Sequence, residues 1–495
     1  MPATPDKPRS GWTLAIVSIA LFMTALDNLV VGVALPSIRV DLGGSIESLE
    51  WTVNAYTLTF AVLLITGAAL GDRFGRKRMF VVGLGIFTGA SALAALAPSI
   101  EGLIAARALQ GLGAAIVLPL TLTLLSEAVA PEKRGMALGI WAGVSGLGVA
   151  LGPFVGGAVV EGIAWQWIFW LNVPIGLVLL PLAARRLTES YGPAHRLDLP
   201  GLVLAGTGLF GLTFGIVRAT ALGWTSATVT LSIGTGVALL AAFLWWELRA
   251  PAPMLPLRFF RSRAFAASNG VSFAMFFGVF GSIFLLSQFF QTAQGYSPFE
   301  AGLRTLPWTG MPMIVAPIAG LLSDRIGSRP LMVAGLALQS IALFWLAAIS
   351  SPDTAYASLI APFVIAGTGM ALVFAPSANA VLGAVRPEEA GQASGATNAI
   401  RELGGVMGVA VLATVFSAYG SYATPQAFSD GVVAALPVGA AVLALGAVIA
   451  LFVPGLRARR GPALFVPGLR ARRGPAPAAA TAATGEVLAT ATAAR

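Results

Sequence analysis

Apolar residues run through this chain in long blocks parted by short polar turns. Fourteen such blocks can be read, at about 12–35, 50–71, 79–97, 102–126, 136–160, 165–184, 199–217, 227–246, 265–290, 302–322, 330–349, 356–382, 395–419 and 431–453. An α-helix rises ~1.5 Å per residue, so roughly 20 apolar residues cross a ~30 Å hydrocarbon core. Backbone groups in lipid must be satisfied within their own segment, so the blocks read as spanning helices. The predicted fold is therefore an all-α polytopic membrane protein.

The turns alternate in charge. Lys7, Arg9, Arg73, Arg76, Lys77, Arg78, Lys133, Arg134, Arg185, Arg186, Arg196, Arg249, Arg258, Arg261 and Arg263 fall on one side, joined by Arg325, Arg329, Arg386, Arg401 and the tail arginines. The other side holds little beyond Arg39, Arg218 and Arg304, with Asp41, Glu47, Glu50, Glu101, Asp353 and Asp430. The positive-inside rule then puts both termini in the cytoplasm of a multi-pass cell-membrane protein. It also explains the pI of about 10.6 as topology, so no nucleic-acid partner is expected.

Composition agrees. Charged residues make up 10% of the chain, against ~25% in soluble domains, and the 58 glycines suit helices packed closely in lipid. With no cysteine there is no disulfide, thiol nucleophile or cysteine metal site, and the single histidine, His195, lies in a polar loop. Paired catalytic acids, metal-ligand clusters and a phosphate-binding Gly-x4-Gly-Lys-Ser/Thr loop are not found, which argues against an enzyme or an ATP-driven pump. No metal or cofactor is expected. The apolar run after Met1–Ser10 is too long for a signal peptide and reads as a retained first helix.

One acid lies well inside the first block. Asp27 is about 13 Å from the Pro36 end, so its carboxylate must face a partner, a watery cavity, or carry a proton. It is a candidate proton carrier, or else an acid held in a static hydrogen bond. Arg107 enters the fourth block to a similar depth, roughly 8–10 Å. Its charge would favour the ionised carboxylate while burial would favour the neutral one. A carboxyl balanced between them can take a proton in one access state and release it in the other; the alternative is a fixed pair.

The chain repeats itself. Leu70-Gly71-Asp72-Arg73-Phe74-Gly75-Arg76 follows the second block, and Leu322-Ser323-Asp324-Arg325-Ile326-Gly327-Ser328-Arg329 follows the second block of a later set. Two six-helix halves, 1–190 and 263–455, fit this duplication. Residues 191–262 then supply two extra spans, and 456–495 a cytoplasmic tail expected to be disordered. That tail repeats Ala450–Pro462 as Ala463–Pro475. Duplicated halves around a midplane site are a common transporter plan.

These motifs resemble the major facilitator superfamily, in its fourteen-helix drug–proton antiporter branch (EmrB/QacA-type). The resemblance rests on Leu26-Asp27 through Pro36, Trp51 through Tyr56, the Asp72 loop, Arg107-Ala108-Leu109-Gln110-Gly111, and Trp165 through Phe169 with Asn172-Val173-Pro174. Gly148-x-x-x-Gly152-Pro153-x-x-Gly156-Gly157, Gln294 through Pro298, and Leu403-Gly404-Gly405 extend it. Leu29, Gly32, Ala68 and Gln166 depart from its pattern.

The resemblance implies a proton-driven exporter of lipophilic drugs working by alternating access, needing only the proton gradient. The expected working unit is a monomer. Proton-coupled transport of one metabolite or lipid is the alternative. It further implies that Asp27 and Arg107 couple protons and that Asp72, Arg73, Gly75, Arg76, Asp324 and Arg325 form gating loops. Gly148, Gly152, Pro153, Gly156 and Gly157 would pack the fifth helix against the other half. Glu402, read near the cytoplasmic end of helix 13, either titrates during transport, attracts a cationic substrate, or pairs with Arg401 or another interfacial cation. Phe273, Phe276, Phe277, Phe280 and Phe284, then Gln288 and Gln291, follow helical spacing along helix 9. Together with Asn28 they line a pocket for flat molecules, or else the phenylalanines face lipid.

Overall fold

The computed structural model describes residues 10–43, 46–130, 133–192, 198–251, 253 and 255–455. The duplicated tail lies outside them. The described chain is helical, with no strand.

The first half comprises α1 (Ser10–Leu42), α2 (Ile46–Phe74), α3 (Arg76–Ala95), α4 (Ile100–Ala128), α5 (Arg134–Gly162) and α6 (Asn172–Arg186), the last entered through one turn at Trp167–Trp170. Two inserted helices follow, α7 (Leu199–Leu222) and α8 (Ala227–Glu247). The second half has α9 (Arg263–Gln288), continued by a π-helical turn at Phe289–Ala293, and α10, which is Pro298–Thr309 and, after Gly310, Met311–Ile326. It ends with α11 (Ser328–Ile349), α12 (Tyr356–Leu382), α13 (Ala390–Tyr419) and α14 (Pro425–Ala450). Among the described residues thirteen spans are long and apolar enough to cross a membrane. The 29-residue α5 completes the fourteen.

Local chemistry sets several ends. Ser99 Oγ accepts from the Gly102 amide at 3.2 Å to start α4, and Ser297 with Glu300 closes a reciprocal cap on α10. Gly75 and Gly327 end the repeated motif with φ of 106° and 89°, a backbone that side chains with a Cβ rarely adopt. The duplicated sequence thus makes the same sharp turn twice, between α2 and α3 and between α10 and α11.

Two large apolar cores form, and the first reaches across the seam to Ala316, Ala371, Ala375 and Leu382 of the second half. Tyr56, Leu64, Phe80, Phe87, Leu120 and Trp141 anchor the first, and Met275, Phe289, Phe363, Leu412 and Leu443 the second. Phe374 of α12 packs on both. The inserted α7 lies against α2 on one side and α13 on the other, and α8 packs on α7.

Several helices run beyond the sequence reading, by as much as seven residues at the end of α1. Helix α1 runs through Pro36 to Leu42. Helix α13 begins at Ala390, where Ala-Gly-Gln-Ala-Ser-Gly reads as loop because it lacks large apolar residues. Small size is what lets that segment sit against the first half, with Ser394 Oγ donating to the Pro119 carbonyl at 2.9 Å. Arg401 and Glu402 consequently lie about 17 Å along α13, not in the basic turn.

Candidate functional site

Five elements of the first half converge on Asp27, which is 0% exposed. Its Oδ2 accepts from Arg107 Nη1 at 2.5 Å, and its Oδ1 from Gln110 Nε2 at 3.1 Å and Asn172 Nδ2 at 2.8 Å. Of the alternatives open to a buried acid, the structure gives a partner.

The guanidinium is equally constrained. Arg107 Nε donates to the Thr52 carbonyl at 3.0 Å, Nη1 also to Gln110 Oε1 at 2.9 Å, and its carbon sits 4.3 Å from the Tyr56 ring centroid. Gln110 Nε2 reaches Ser91 Oγ at 2.7 Å. Residues i and i+3 share one face of a helix, so Arg107 and Gln110 meet the same carboxylate from α4. Two polar atoms in the network, Arg107 Nη2 and Asn172 Oδ1, have no partner among the described residues. Such a network is charge-balanced but not saturated, and neutralising Asp27 would leave three donors facing a weaker acceptor.

A second cluster closes the end that carries the basic turns. Arg76 is buried: Nε donates to Asp72 Oδ1 at 2.8 Å, Nη1 to Glu127, and Nη2 across to the Glu388 carbonyl of the second half at 2.8 Å. Asp72 itself abuts the first turn of α13, since a Cβ on Gly391 would lie 2.5 Å from its carboxyl carbon. The repeat does the same in reverse. Asp324 accepts from Asn379 Nδ2 at 3.3 Å and abuts the first turn of α5, where a Cβ on Gly135 would lie 2.5 Å from its carboxyl carbon. Each carboxylate sits by a helix N-terminus of the opposite half, where the backbone dipole favours negative charge. Arg73 lies over the Phe74 ring and Arg325 is exposed.

The α8–α9 connection joins this cluster. Glu389 accepts from Arg386 at 2.6 Å and from Arg258, and Gln392 Nε2 donates to the Pro253 carbonyl at 3.1 Å.

The helix 5 motif divides between two neighbours. Gly148 and Gly156 face α1, with hypothetical Cβ contacts of 3.0 Å to Phe22 O and 3.3 Å to Val30, whereas Gly157 faces Phe299 of the other half at 3.4 Å. Gly152 is buried. Most of the contact with the other half comes earlier, where a Cβ on Gly139 would meet Pro317 Cα at 2.8 Å. The side chains of Asn28 and Pro153 lie outside the described residues.

The phenylalanine stripe on α9 also divides. Phe276 and Phe277 are buried against α12 and α13, Phe280 faces Gly405, and Phe284 is exposed. Gln288 Oε1 accepts from Tyr422 at 2.6 Å. Glu402 is half-buried and forms no ion pair with Arg401, which is 1% exposed and donates to Ser377 Oγ at 3.2 Å. Gln110, Asn172 and Tyr56 stood in the sequence as landmarks without a role; the fold makes them the shell of Asp27.

The Major Facilitator Superfamily profile matches residues 17–409. The chain is 36% identical over 409 residues to "Multidrug resistance protein Stp" of Mycobacterium tuberculosis (strain CDC 1551 / Oshkosh), covering 82% of this chain and 76% of the relative. It is 34% identical over 418 residues to "Tetracenomycin C resistance and export protein" of Streptomyces glaucescens, covering 84% and 78%. It is 39% identical over 415 residues to "Cephamycin export protein CmcT" of Amycolatopsis lactamdurans, covering 81% and 84%. Among solved structures, the proton:xylose symporter XylE bound to 6-bromo-6-deoxy-D-glucose superposes with a TM-score of 0.64 at 15% identity, covering 90% of this chain and 96% of that one. Two six-helix halves carrying one turn motif twice, with two further helices inserted between them, agree with that match. The chain is a multi-pass membrane protein and belongs to the Major Facilitator Superfamily.

Proposed function

We propose that the protein exports lipophilic compounds, antibiotics among them, from the cytoplasm in exchange for protons. The observation that carries the coupling is the Asp27–Arg107 pair, a buried titratable group held by donors from α4 and α6. The relatives named for drug resistance and export support the direction and the cargo. The basic turns then face the cytoplasm, so the Arg76 and Asp324 contacts close the inner side.

In that state the next change is an opening on the outer side that lets a proton reach Asp27. Protonation weakens the attraction for Arg107 and frees the helices that the pair ties together. With the inner latches released, the proton leaves to the cytoplasm and Arg107 recaptures the carboxylate. Glu402, half-buried on α13, is a second acid available to a proton or a cationic substrate. The proposal includes a monomeric working unit and no catalytic chemistry.

The test is accumulation of a fluorescent lipophilic dye in everted vesicles containing the protein, with an imposed proton gradient. Uncoupler-sensitive uptake is expected. Uptake that ignores the gradient, or movement only in the opposite direction, would reject the proposal.

A further inference from the structure

The second half holds a buried cation, Arg401, that forms no ion pair among the described residues and has Glu402 as its neighbouring charge. Arg401 is 1% exposed; its Nη2 donates to Ser377 Oγ, and its Nε has no acceptor among the described residues. The guanidinium carbon lies 4.8 Å from the Phe374 ring centroid and 5.7 Å from that of Phe276. The nearest acid in sequence, Glu402, is turned about 100° around the helix from it. A buried guanidinium cannot shed its proton, and one without an ion pair is costly in a membrane interior.

Polar groups without partners among the described residues lie within about one helical turn of this level. Thr397 precedes Arg401 by four residues and shares its face of α13; it is 1% exposed and its Oγ1 has no partner. Ser272 lies one turn before Phe276 on α9, is 0% exposed, and its Oγ has no partner either. Ser377 lies one turn beyond Phe374 on α12, with its hydroxyl committed to the Phe374 carbonyl at 3.0 Å. The parallel packing of α9 and α13, with Gly404 on Phe273 and Gly408 on Phe277, sets Arg401 at the level of residues 269–273. One fixed cation and two hydroxyls without partners among the described residues supply the donors that a negatively charged group needs, while the two rings hold the guanidinium in place.

We propose that the junction of α9, α12 and α13 binds an anionic group, a carboxylate or a monovalent inorganic anion, through Arg401 with Thr397 and Ser272. The group comes either from an organic acid or from a free ion such as chloride. The site is independent of Asp27 and of the export reading, and its test reads binding rather than transport.

Thermal unfolding of the purified full-length protein, followed by tryptophan fluorescence in halide-free sulfate buffer, tests it. The probes are chloride, 1-naphthoate and, as the neutral control, methyl 1-naphthoate. A saturable rise in Tm of about 3 °C is expected for an anion and not for the ester. A response to naphthoate alone marks the site as one for organic acids; a response to chloride marks an inorganic-ion site. Arg401→Gln should abolish the rise. Thr397→Val and Ser272→Ala, milder changes, should each raise the half-saturating concentration about five-fold, one hydrogen bond's worth. Equal shifts with acid and ester, no shift with either anion, or an undiminished response in all three variants would overturn the proposal.

Discussion

Arg76 of the first half donates to the backbone carbonyl of Glu388 in the second, at 2.8 Å, while its other nitrogens hold Asp72 and Glu127. One buried guanidinium thus binds a carboxylate of α2, a carboxylate of α4 and the approach to α13. A side chain that spans the seam in this way stabilises one relative position of the halves and none in which they part.

Replacing Arg76 with Ala should therefore open the basic end. It strands two carboxylates, so a loss of transport of at least about ten-fold is expected, together with greater access to the seam. The chain has no cysteine, so a cysteine placed at Ala68, which packs on Gly395, reports cleanly. Labelling by an impermeant maleimide from that face should rise in the Arg76→Ala background; unchanged labelling would show that the latch does not hold the seam.

Asp27→Asn removes the titratable group but keeps its shape. The expected result is a folded, membrane-inserted protein with no proton-driven transport, measured by dye accumulation and by size-exclusion profile. Full retained transport would remove Asp27 from the mechanism.

Arg107→Met should cost about 3–5 kcal/mol of stability, because it leaves Asp27 as an uncompensated buried charge. Combining it with Asp27→Asn should recover most of that loss without recovering transport. Thermal melts of the two single variants and the double variant measure the coupling; additive losses would mean that the two side chains stabilise the fold independently.

The positive φ at Gly75 and Gly327 makes their replacement by Ala expensive at two equivalent turns. Each is expected to lower stability by about 1–2 kcal/mol. Equal melting temperatures for wild type and both variants would contradict the turn geometry.

At the end remote from the basic turns, α7 touches both halves. Trp51 of α2 lies 6.1 Å from the Phe214 ring, and beyond α7 the Trp224 indole donates to Thr414 of α13 at 2.6 Å. Cysteines at Trp224 and Thr414 joined by a short bifunctional thiosulfonate should arrest transport, reversibly on reduction. Undiminished transport after complete crosslinking would show that this contact does not change during the cycle.

Much of this protein follows from its sequence alone. Lipid admits only helices with self-satisfied backbones, so apolar blocks of sufficient length dictate the fourteen spans and the all-α class. The repeated Asp-Arg-x-Gly turn shows the duplication because a left-handed glycine is required wherever that turn recurs. Asp27 is conspicuous for the same reason, a charge where charge is costly.

The partners of those residues were decided only by the fold. Periodicity shows that Gln110 shares a face with Arg107, but not that α6 brings Asn172 to the same carboxylate 145 positions away. Ala390 to Gly395 looks like a loop by hydropathy and is a helix because its small side chains fit the first half closely. Arg401 looks like part of a basic turn until that helix is extended, which carries it into the interior of the second half. Hydropathy records what each residue prefers to touch; which residue it touches is set by packing between distant segments.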